Sequence, residues 1–446
     1  MELFLIKGGQ LILSLSLLIV LHELGHFIPA KLFKTRVEKF YLFFDVKFSL
    51  FKKKVGETVY GIGWLPLGGY VKISGMIDES MDTEQMSKPA QPWEFRAKPT
   101  WQRLIIMLGG VTVNLLLGFL IYMMIMFIWG KRVFSSDDST YGLAPSPKVE
   151  ALGFNLGDKV VSVDGEPLDG LIEINPWLLF RDASQVEVTQ ADGTNAYITI
   201  PEDFGKELFA GGEMPPFIPN MPAIIEKVNV GSIAEAAGLL ANDQIVGING
   251  LEIYSWNPAT TPTTQVQNAI EQRKEDALVI RIVREGELKD VEITAPIGSN
   301  IGFYFKDTRA KSITQKYGAT ESIVEGFNYG YWTLFDYIAG FKFIFTKKGA
   351  SQLGGFGTIG SLFPAKWNWR VFWERTALIS IILAFMNVLP IPALDGGHVV
   401  FLTYEMLTGR KPHQKVLEYA QMIGIILLLG LFVFANGNDI YRFILS

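Results

Sequence analysis

Residues 11–27 read Leu-Ile-Leu-Ser-Leu-Ser-Leu-Leu-Ile-Val-Leu-His-Glu-Leu-Gly-His-Phe, an apolar run that ends in the pattern His-Glu-x-x-His. The run belongs to a segment, about residues 3–27, that can cross a bilayer as a helix, which takes roughly 20 residues. On a helix His22 and His26 lie one turn apart on the same face, so both imidazoles can bind one metal ion. Glu23 lies beside them, where it can serve a metal-bound water. The stretch predicts a metal site at the end of a membrane helix.

The composition is that of a membrane protein with a soluble portion, because 49% of the 446 residues are hydrophobic. The net charge of −5 gives no basic field for nucleic acid, which we exclude as a partner. The chain has no cysteine, so a transition metal would need imidazole or carboxylate ligands. The first apolar run lacks a strong basic start and a small-residue cleavage site, which favours a retained helix over a signal peptide.

Three further segments are long and apolar enough to cross a membrane, at about residues 104–129, 371–389 and 419–434. Basic residues follow the first and third segments: Lys31, Lys34, Arg36, Lys39, Lys47, Lys52, Lys53, Lys54, Arg410, Lys411 and Lys415. By the positive-inside rule these connections are cytoplasmic, and both termini and the central region lie outside. The predicted fold class is a polytopic α-helical membrane protein with about four transmembrane helices, in residues 1–30, 101–130, 371–396 and 416–436.

The region 31–100 has a strand pattern between Lys39 and Ser74. Phe40, Leu42 and Phe44 alternate with smaller or polar residues, and residues 58–73 mix aromatic and branched residues with glycine. We predict a membrane-associated β-hairpin that dips into the bilayer interface. An ordinary cytoplasmic hairpin is the alternative.

The central region contains an internal repeat. Residues 151–165 read ALGFNLGDKVVSVDG and residues 236–250 read AAGLLANDQIVGING, so that Asp158 aligns with Asp243. Each copy has a glycine after a short helix and a strand that ends in Asp-Gly or Asn-Gly, a hairpin signal. The repeat resembles PDZ domains, which predicts two inserted PDZ-like α+β domains in residues 131–212 and 213–298. Such a fold has a groove for an extended peptide, so peptide contacts at these grooves are an open expectation. Two generic small β-domains are the alternative.

Residues 318–348 form a further predicted element, because Ile323, Phe327, Tyr331 and Leu334 recur at helical spacing among charged residues. We predict an amphipathic helix that lies on the membrane surface or packs on the modules. A fifth crossing would reverse the orientation of the third membrane helix.

A third metal ligand is predicted at Asp395, within Asn387-Val-Leu-Pro-Ile-Pro-Ala-Leu-Asp-Gly-Gly-His. A hydrolytic zinc site has three protein ligands and one open position. Pro390 and Pro392 break the helix, and broken backbone at membrane depth needs a cavity or protein around it. Asn387 could bind an extended substrate backbone, or it could serve helix packing alone. His398 either orients a ligand or water or lies at an interface, and His413 is assigned no role.

Together these motifs resemble the site-2 protease family, in particular bacterial members with tandem PDZ domains that act in regulated intramembrane proteolysis. The resemblance rests on His-Glu-x-x-His, on Asn-x-x-Pro-x-Pro-x-Leu-Asp-Gly, on the Pro-Leu-Gly-Gly-Tyr-Val stretch and on the repeat. It implies Zn²⁺ bound by His22, His26 and Asp395, with Glu23 as general base. It also implies that the hairpin binds substrate and that Asn387 helps to hold it. The hairpin residues concerned are Pro66, Leu67, Gly68, Gly69 and Tyr70.

Two stretches depart from the family pattern. The usual Gly-Pro-x-x-Asn of the second helix is Gly110-Val-Thr-Val-Asn114, and the usual Gly-Gly-Pro is Gly354-Gly-Phe356. These departures concern local backbone and no predicted ligand.

The resemblance implies substrates that are single-pass membrane proteins, such as anti-sigma factors or remnant signal peptides, with the PDZ tandem acting as a size filter. The expected location is the cell (inner) membrane, in contact with the lipid bilayer, with the modules periplasmic or extracellular and the active site near the cytoplasmic side. A soluble-type zinc protease is the enzymatic alternative. A membrane scaffold or sensor that binds peptides through its modules is the alternative from another class.

Overall fold

The computed structural model describes residues 2–76, 89–134, 140–190 and 192–445. Residues 77–88 of the predicted 31–100 region lie outside this part, as do residues 135–139 and 191 of the first predicted module. The chain divides into two compact units. We call Met1–Gly130 with Lys316–Ser446 the membrane unit, and Lys131–Gln315 the inserted unit.

The membrane unit begins with helix α1, which spans Glu2–Leu32. A four-stranded sheet follows, in the order β2-β3-β1-β4. Its strands are β1 (Val37–Leu42), β2 (Phe44–Val55), β3 (Thr58–Leu65) and β4 (Tyr70–Ile73). Strands β2 and β3 form an antiparallel hairpin, while β1 joins β3 in parallel and β4 in antiparallel fashion. The strand pattern thus gives a sheet with two edges, β2 and β4, rather than a lone hairpin.

Helix α2, Thr100–Ile128, returns against α1. The two helices approach closely where glycines face one another, because a Cβ on Gly25 would overlap the backbone of Gly109 and one on Gly109 would overlap that of Gly25. Small residues of this kind let two membrane helices bring their backbones together. The closeness of α1 and α2 determines what lies next to the His-Glu-x-x-His turn.

The first module of the inserted unit contains small sheets around one apolar core. Its elements are β5 (Lys131–Phe134), β6 (Leu143–Pro145), α3 (Pro147–Glu150), β7 (Lys159–Val163), β8 (Glu166–Pro167), α4 (Ile174–Phe180), β9 (Gln185–Thr189), β10 (Asn195–Thr199), α5 (Phe204–Gly211) and β11 (Phe217–Pro219). Strand β11 pairs with β6, and Phe217 belongs to the core of this module. The first module therefore continues beyond the predicted boundary at residue 212.

The second module repeats this plan around its own core. Its elements are β12 (Ala223–Val228), α6 (Ile233–Ala236), β13 (Gln244–Ile248), β14 (Leu251–Glu252), α7 (Pro262–Glu271), β15 (Ala277–Arg284), β16 (Glu287–Thr294) and β17 (Phe303–Phe305). The sheet order is β16-β15-β13-β12-β17, so β17 is an edge strand that lies beyond the predicted boundary at residue 298. Strand β18, Ser312–Gln315, pairs with β5 and returns the chain to the start of the unit.

Helix α8, Ala319–Phe341, covers most of the predicted amphipathic segment 318–348. Its buried residues are Ser322, Gly326 and Gly330. A Cβ on Gly330 would lie 3.0 Å from the Phe119 ring, and Gly326 lies against the backbone of Met123, so this face packs on α2. Small residues make the closest contacts of this face, and the rings of Phe327 and Tyr329 contact Phe119 and Tyr122 of α2. Ile323, which the spacing also singled out, is exposed.

Five more α-helices of the described chain follow, joined by loops: α9 (Lys347–Gln352), α10 (Phe356–Ser361), α11 (Trp369–Val388), α12 (Asp395–Thr408) and α13 (Gln414–Leu445). Asn368 caps α11 by accepting the Val371 N–H at 3.1 Å. The predicted third membrane segment, residues 371–396, is two helices rather than one, because α11 ends at Val388 and α12 begins at Asp395. Proline at 390 and 392 cannot continue a helix.

Four helices of the described chain are long and apolar enough to cross a membrane: Leu5–Leu32, Thr100–Ile128, Trp369–Val388 and Gln414–Ile444. Four such helices together with sheet-rich regions confirm the coarse fold class, a membrane protein with β-containing portions. The orientation in the bilayer and the PDZ assignment stay predictions.

Candidate metal site

The start of α12 brings Asp395 to the His-Glu-x-x-His turn of α1. Asp395 Oδ2 lies 3.4 Å from the Nε2 atoms of both His22 and His26. The two Nε2 atoms are 3.3 Å apart, and the potential ligand atoms of all three residues lie within 4.8 Å of one another. The structure thus brings together three residues from opposite ends of the sequence at one point.

This triad has the donor chemistry that a zinc ion prefers, two imidazole nitrogens and one carboxylate oxygen. Asp395 Oδ2 is buried and has no hydrogen-bond partner among the residues that the structure describes. A buried carboxylate oxygen without a donor is costly, and a cation at the centre of the triad would satisfy it. The residues present therefore fit a bound metal ion.

The backbone around Asp395 is arranged by the two glycines that follow it. A Cβ on Gly397 would lie 2.7 Å from Ile391 O, and one on Gly396 would overlap the backbone at Val388. The loop between α11 and α12 can therefore fold tightly over the first turn of α12. Asp395 is the first residue of that helix, where the helix dipole favours a negative charge.

Helix α2 forms the wall behind the two histidines. A Cβ on Gly110 would lie 2.6 Å from His22 Cε1 and would overlap His26 Nε2. On the same helix, Ile106 O lies 2.8 Å from His26 Nδ1, and Asn114 Nδ2 lies 3.3 Å from His22 Nδ1. Each histidine thus has a polar partner from α2 at the nitrogen that faces away from Asp395.

Glu23 lies in the same cavity as the triad. The cavity has a volume of about 90 Å³, and its lining includes all three triad residues as well as Glu23, Gly69 and Tyr70. Glu23 is only 8% exposed, and the backbone of Val71 in β4 hydrogen-bonds its carboxylate. The edge strand β4 therefore runs directly past the predicted base.

The predicted substrate-binding residues separate into two places. Gly69 and Tyr70 line the metal cavity, whereas Pro66 and Leu67 line a larger apolar cavity of about 550 Å³ beside Leu11 and Leu15 of α1. Gly68 lies between these pairs and packs on Phe44, whose Cε2 would be 2.9 Å from a Cβ there. Asn387 is half-buried near the end of α11 and is not among the residues that line the metal cavity.

Sequence reasoning missed Gln421, which α13 contributes to the cavity. Gln421 is 5% exposed, and its Oε1 accepts the Ala393 N–H at 3.2 Å. Ala393 has a φ of +75°, a conformation that is costly for a residue other than glycine. A polar residue within an otherwise apolar membrane segment was the available signal, and Asn114 offered the same one.

The remaining histidines differ in their surroundings. His398 lines the metal cavity and also a neighbouring cavity of about 100 Å³ that reaches the ion pair of Arg103 and Glu405. His413 lies in the turn before α13, where its Nδ1 accepts the Lys415 N–H at 3.3 Å. Neither histidine belongs to the triad.

The fold and the site define a class: a membrane protein whose helices bring together two histidines and an aspartate that could hold a metal ion, with a carboxylate beside them, the donor set of hydrolytic metal enzymes. The family model described as "Peptidase family M50" matches residues 10–431. The chain belongs to this family, so the prediction of a peptidase is confirmed.

Relatives from several bacteria are similar over nearly their whole length. The "Regulator of sigma E protease" of Haemophilus influenzae is 27% identical over 470 residues, which cover 98% of this chain and 99% of that protein. The "Protease RseP" of Yersinia pestis is 28% identical over 458 residues, 97% of each chain. A protein of Xylella fastidiosa named "Putative zinc metalloprotease" is 28% identical over 467 residues, 98% of this chain and 99% of that one. These relatives confirm the resemblance that the motifs indicated.

Proposed function

We propose that this chain is an intramembrane zinc metalloprotease that cleaves single-pass transmembrane helices in regulated intramembrane proteolysis. One observation carries the proposal: His22, His26 and Asp395 converge within 4.8 Å between membrane-type helices, with Glu23 in the same cavity. The name of one similar protein specifies a zinc metalloprotease, and the name of another specifies a regulator of sigma E.

The chemistry follows from the residues of the cavity. A zinc ion held by the triad would supply Lewis acidity for the attacking water and for the substrate carbonyl. Glu23 takes the proton of the water on its carboxylate and then delivers it to the leaving nitrogen. Glu23 and Val71 of β4 line the same cavity as the triad, where the carboxylate can serve both transfers.

The sheet provides a place for an unwound substrate. A peptide bond within a helix is shielded by its own turn, so the substrate must first become extended. Strand β4 is an edge of the sheet and passes Glu23, so an extended segment added there would replace its lost helical hydrogen bonds. We propose that Gly69 and Tyr70 contact the segment at the cavity, that Pro66, Leu67 and Gly68 guide it there, and that Asn387 holds its backbone.

The two modules are proposed to be PDZ domains that filter substrates by size on the outer side of the membrane. Support comes from the repeated order of elements, from the separate apolar core of each module and from the edge strand β17, which leaves a place for an added peptide strand. The basic connections after the first and third membrane helices support an active site near the cytoplasmic side, by the positive-inside rule. The modules are then periplasmic in a cell with two membranes.

The test is cleavage of a single-spanning helical reporter by purified protein in detergent with zinc, with the cut site identified by mass spectrometry. Glu23→Gln should abolish a cut within the apolar segment of the reporter, and a zinc chelator should do the same. Glu57→Gln is the matched control, since Glu57 is an exposed carboxylate that pairs with Arg36 on the sheet. Equal inactivity of wild type and Glu23→Gln on several helices, without bound zinc, would instead favour the sensor alternative.

A further inference from the structure

We propose that Asn114 of α2 is a positioning residue that fixes His22 in the tautomer whose Nε2 can bind the metal. The proposal rests on the proposed zinc site but concerns metal binding itself, so it can be tested without any proteolytic assay.

The orientation of His22 determines which nitrogen must carry its proton. His22 Nε2 faces the centre of the triad, 3.4 Å from Asp395 Oδ2 and 3.3 Å from His26 Nε2. A neutral imidazole that binds a metal through Nε2 carries its hydrogen on Nδ1. In a buried site that N–H needs an acceptor, and metal-binding histidines almost always have one.

His26 shows how α2 meets this need. Its Nδ1 lies 2.8 Å from the carbonyl oxygen of Ile106, which can only accept a hydrogen bond. The contact therefore places the proton of His26 on Nδ1 and leaves Nε2 free for a metal. The main chain of α2 performs this task, so no side-chain substitution at position 106 would remove it.

At His22 the corresponding partner is the Asn114 side chain. Its amide nitrogen lies 3.3 Å from His22 Nδ1, while its Oδ1 is buried and, within the described part of the chain, has no hydrogen-bond partner. Turning the amide by half a rotation brings Oδ1 to Nδ1, so that Nδ1–H donates to an oxygen that otherwise lacks a donor. The orientation of an amide follows from such a network, and only this orientation frees Nε2 for metal.

The position of Asn114 is itself well defined. The residue is 1% exposed, and its backbone carbonyl accepts a 2.7 Å hydrogen bond from Ser380 Oγ of α11. The first helix therefore supplies the ligand His22, the second supplies its acceptor, and the third packs against that acceptor. A rigid acceptor is what a positioning role requires, because a mobile amide could not hold one tautomer.

The test compares zinc retention by full-length variants in detergent at increasing chelator concentrations, measured by elemental analysis. Asn114→Leu keeps the approximate size but removes the acceptor, and we expect zinc affinity to fall about 10- to 100-fold. Asn114→Asp keeps an acceptor oxygen and should retain zinc within a few-fold of wild type. Ser16→Ala is the control, because the Ser16 hydroxyl donates to Ile12 O within α1, and it should leave zinc affinity unchanged.

Retention of zinc by Asn114→Leu at the wild-type level would overturn the proposal. Equal losses in Asn114→Leu and Asn114→Asp would also overturn it, because that pattern means packing rather than hydrogen bonding. If Asn114→Leu does not fold, Asn114→Ala provides the same comparison. A wild-type protein that binds zinc but cleaves nothing would contradict the proposed function alone, since the ranking of zinc affinities would still decide the role of Asn114.

Discussion

Asp395 in the membrane unit and Asp243 in the inserted unit each have a buried carboxylate oxygen, but in different surroundings. In the membrane unit, Asp395 faces two imidazoles, and its Oδ2 accepts no hydrogen bond. In the inserted unit, Asp243 is 1% exposed and accepts three: from the Leu240 N–H at 2.8 Å, and from Arg284 Nε at 2.7 Å and Nη2 at 2.6 Å. A buried acid that accepts hydrogen bonds from an arginine stabilises the fold. An acid whose oxygen faces two imidazoles and accepts no hydrogen bond has the surroundings of a metal ligand.

Asp158, the repeat partner of Asp243, has a third kind of environment. Its Oδ2 accepts the Asn155 N–H at 2.8 Å, but its Oδ1 is buried without a partner. The strand register explains the difference. Lys159 pairs with Thr189 in the first module, just as Gln244 pairs with Val283 in the second. The next residue along each partner strand is therefore equivalent, and the uncharged Gln190 occupies the place of Arg284. Burial without a countercharge raises the pKa of the Asp158 carboxyl above its ordinary value.

The largest expected effect comes from removing the charge at the metal triad. Asp395→Asn keeps the shape of the side chain but lacks the negative ligand, so zinc retention should fall more than about 100-fold, beyond the range for outer partners of a metal site. Reporter cleavage should fall to background. Elemental analysis and the cleavage assay measure the two effects.

The control is the same substitution in the inserted unit. Asp243→Asn should leave zinc retention unchanged, because Asp243 is buried within the inserted unit and is paired there with Arg284. If both substitutions released zinc equally, the contrast between the two acids would fail.

The second effect concerns the ion pair of the second module. Arg284→Met leaves Asp243 buried without its cation, which should destabilise the module by about 3 kcal/mol. Hydrogen exchange of the full-length protein should show faster exchange in β13 and β15, with the amides of the first module as an internal control. Unchanged protection of β13 would show that Asp243 does not depend on Arg284.

The third effect concerns the glycine wall of the metal site. Gly110→Ala would place a methyl group 2.6 Å from His22 Cε1. Such overpacking costs about 1 to 3 kcal/mol, so zinc affinity should fall about 10- to 100-fold. Gly430→Ala is the matched control. Gly430 lies on another membrane helix, α13, and a Cβ there would have no described neighbour within 4 Å. Zinc affinity at the wild-type level in Gly110→Ala would mean that the histidines can move away from α2.

The smallest expected effect is that of Asp158→Asn, which should raise the stability of its module, whereas Asp243→Asn should lower the stability of the other. The pKa of Asp158 is raised in the folded state, so its contribution to stability is present below its unfolded pKa and is lost as pH rises through the folded value. At pH 7 the folded protein must keep a charged carboxylate buried at this position, and Asp158→Asn removes that charge. The substitution should therefore stabilise the first module at pH 7 by less than about 1 kcal/mol.

Hydrogen exchange at pH 7 and at pH 4 checks this prediction, since the difference between variant and wild type should shrink at the lower pH. Asp243→Asn provides the contrast, because it weakens the contact with Arg284 and should destabilise the second module at pH 7. A loss of stability of similar size in both variants would show that the two repeats treat their acids alike.

Local patterns were enough to predict much of the fold. The four apolar segments and the helix break at Pro390 and Pro392 depend on residues close together in the chain. The boundaries were less certain: Phe217 proved to pair with β6 of the first module, and α8 proved to pack its glycines as well as its aromatic residues on α2. Both outcomes depend on partners distant in sequence, which periodicity cannot identify.

Helical spacing alone places His22, Glu23 and His26 together, so the candidate metal-binding turn follows from residues close in the chain. The helix break before Asp395 follows in the same way from its prolines. Three contacts depend instead on the packing of separate helices: Asp395 meets the two histidines, Asn114 and Ile106 of α2 face their other nitrogens, and Gln421 holds the loop at Ala393. The physical reason is that these contacts join separate helices, whose relative positions are determined by the close packing of glycine faces and not by the period of any one segment.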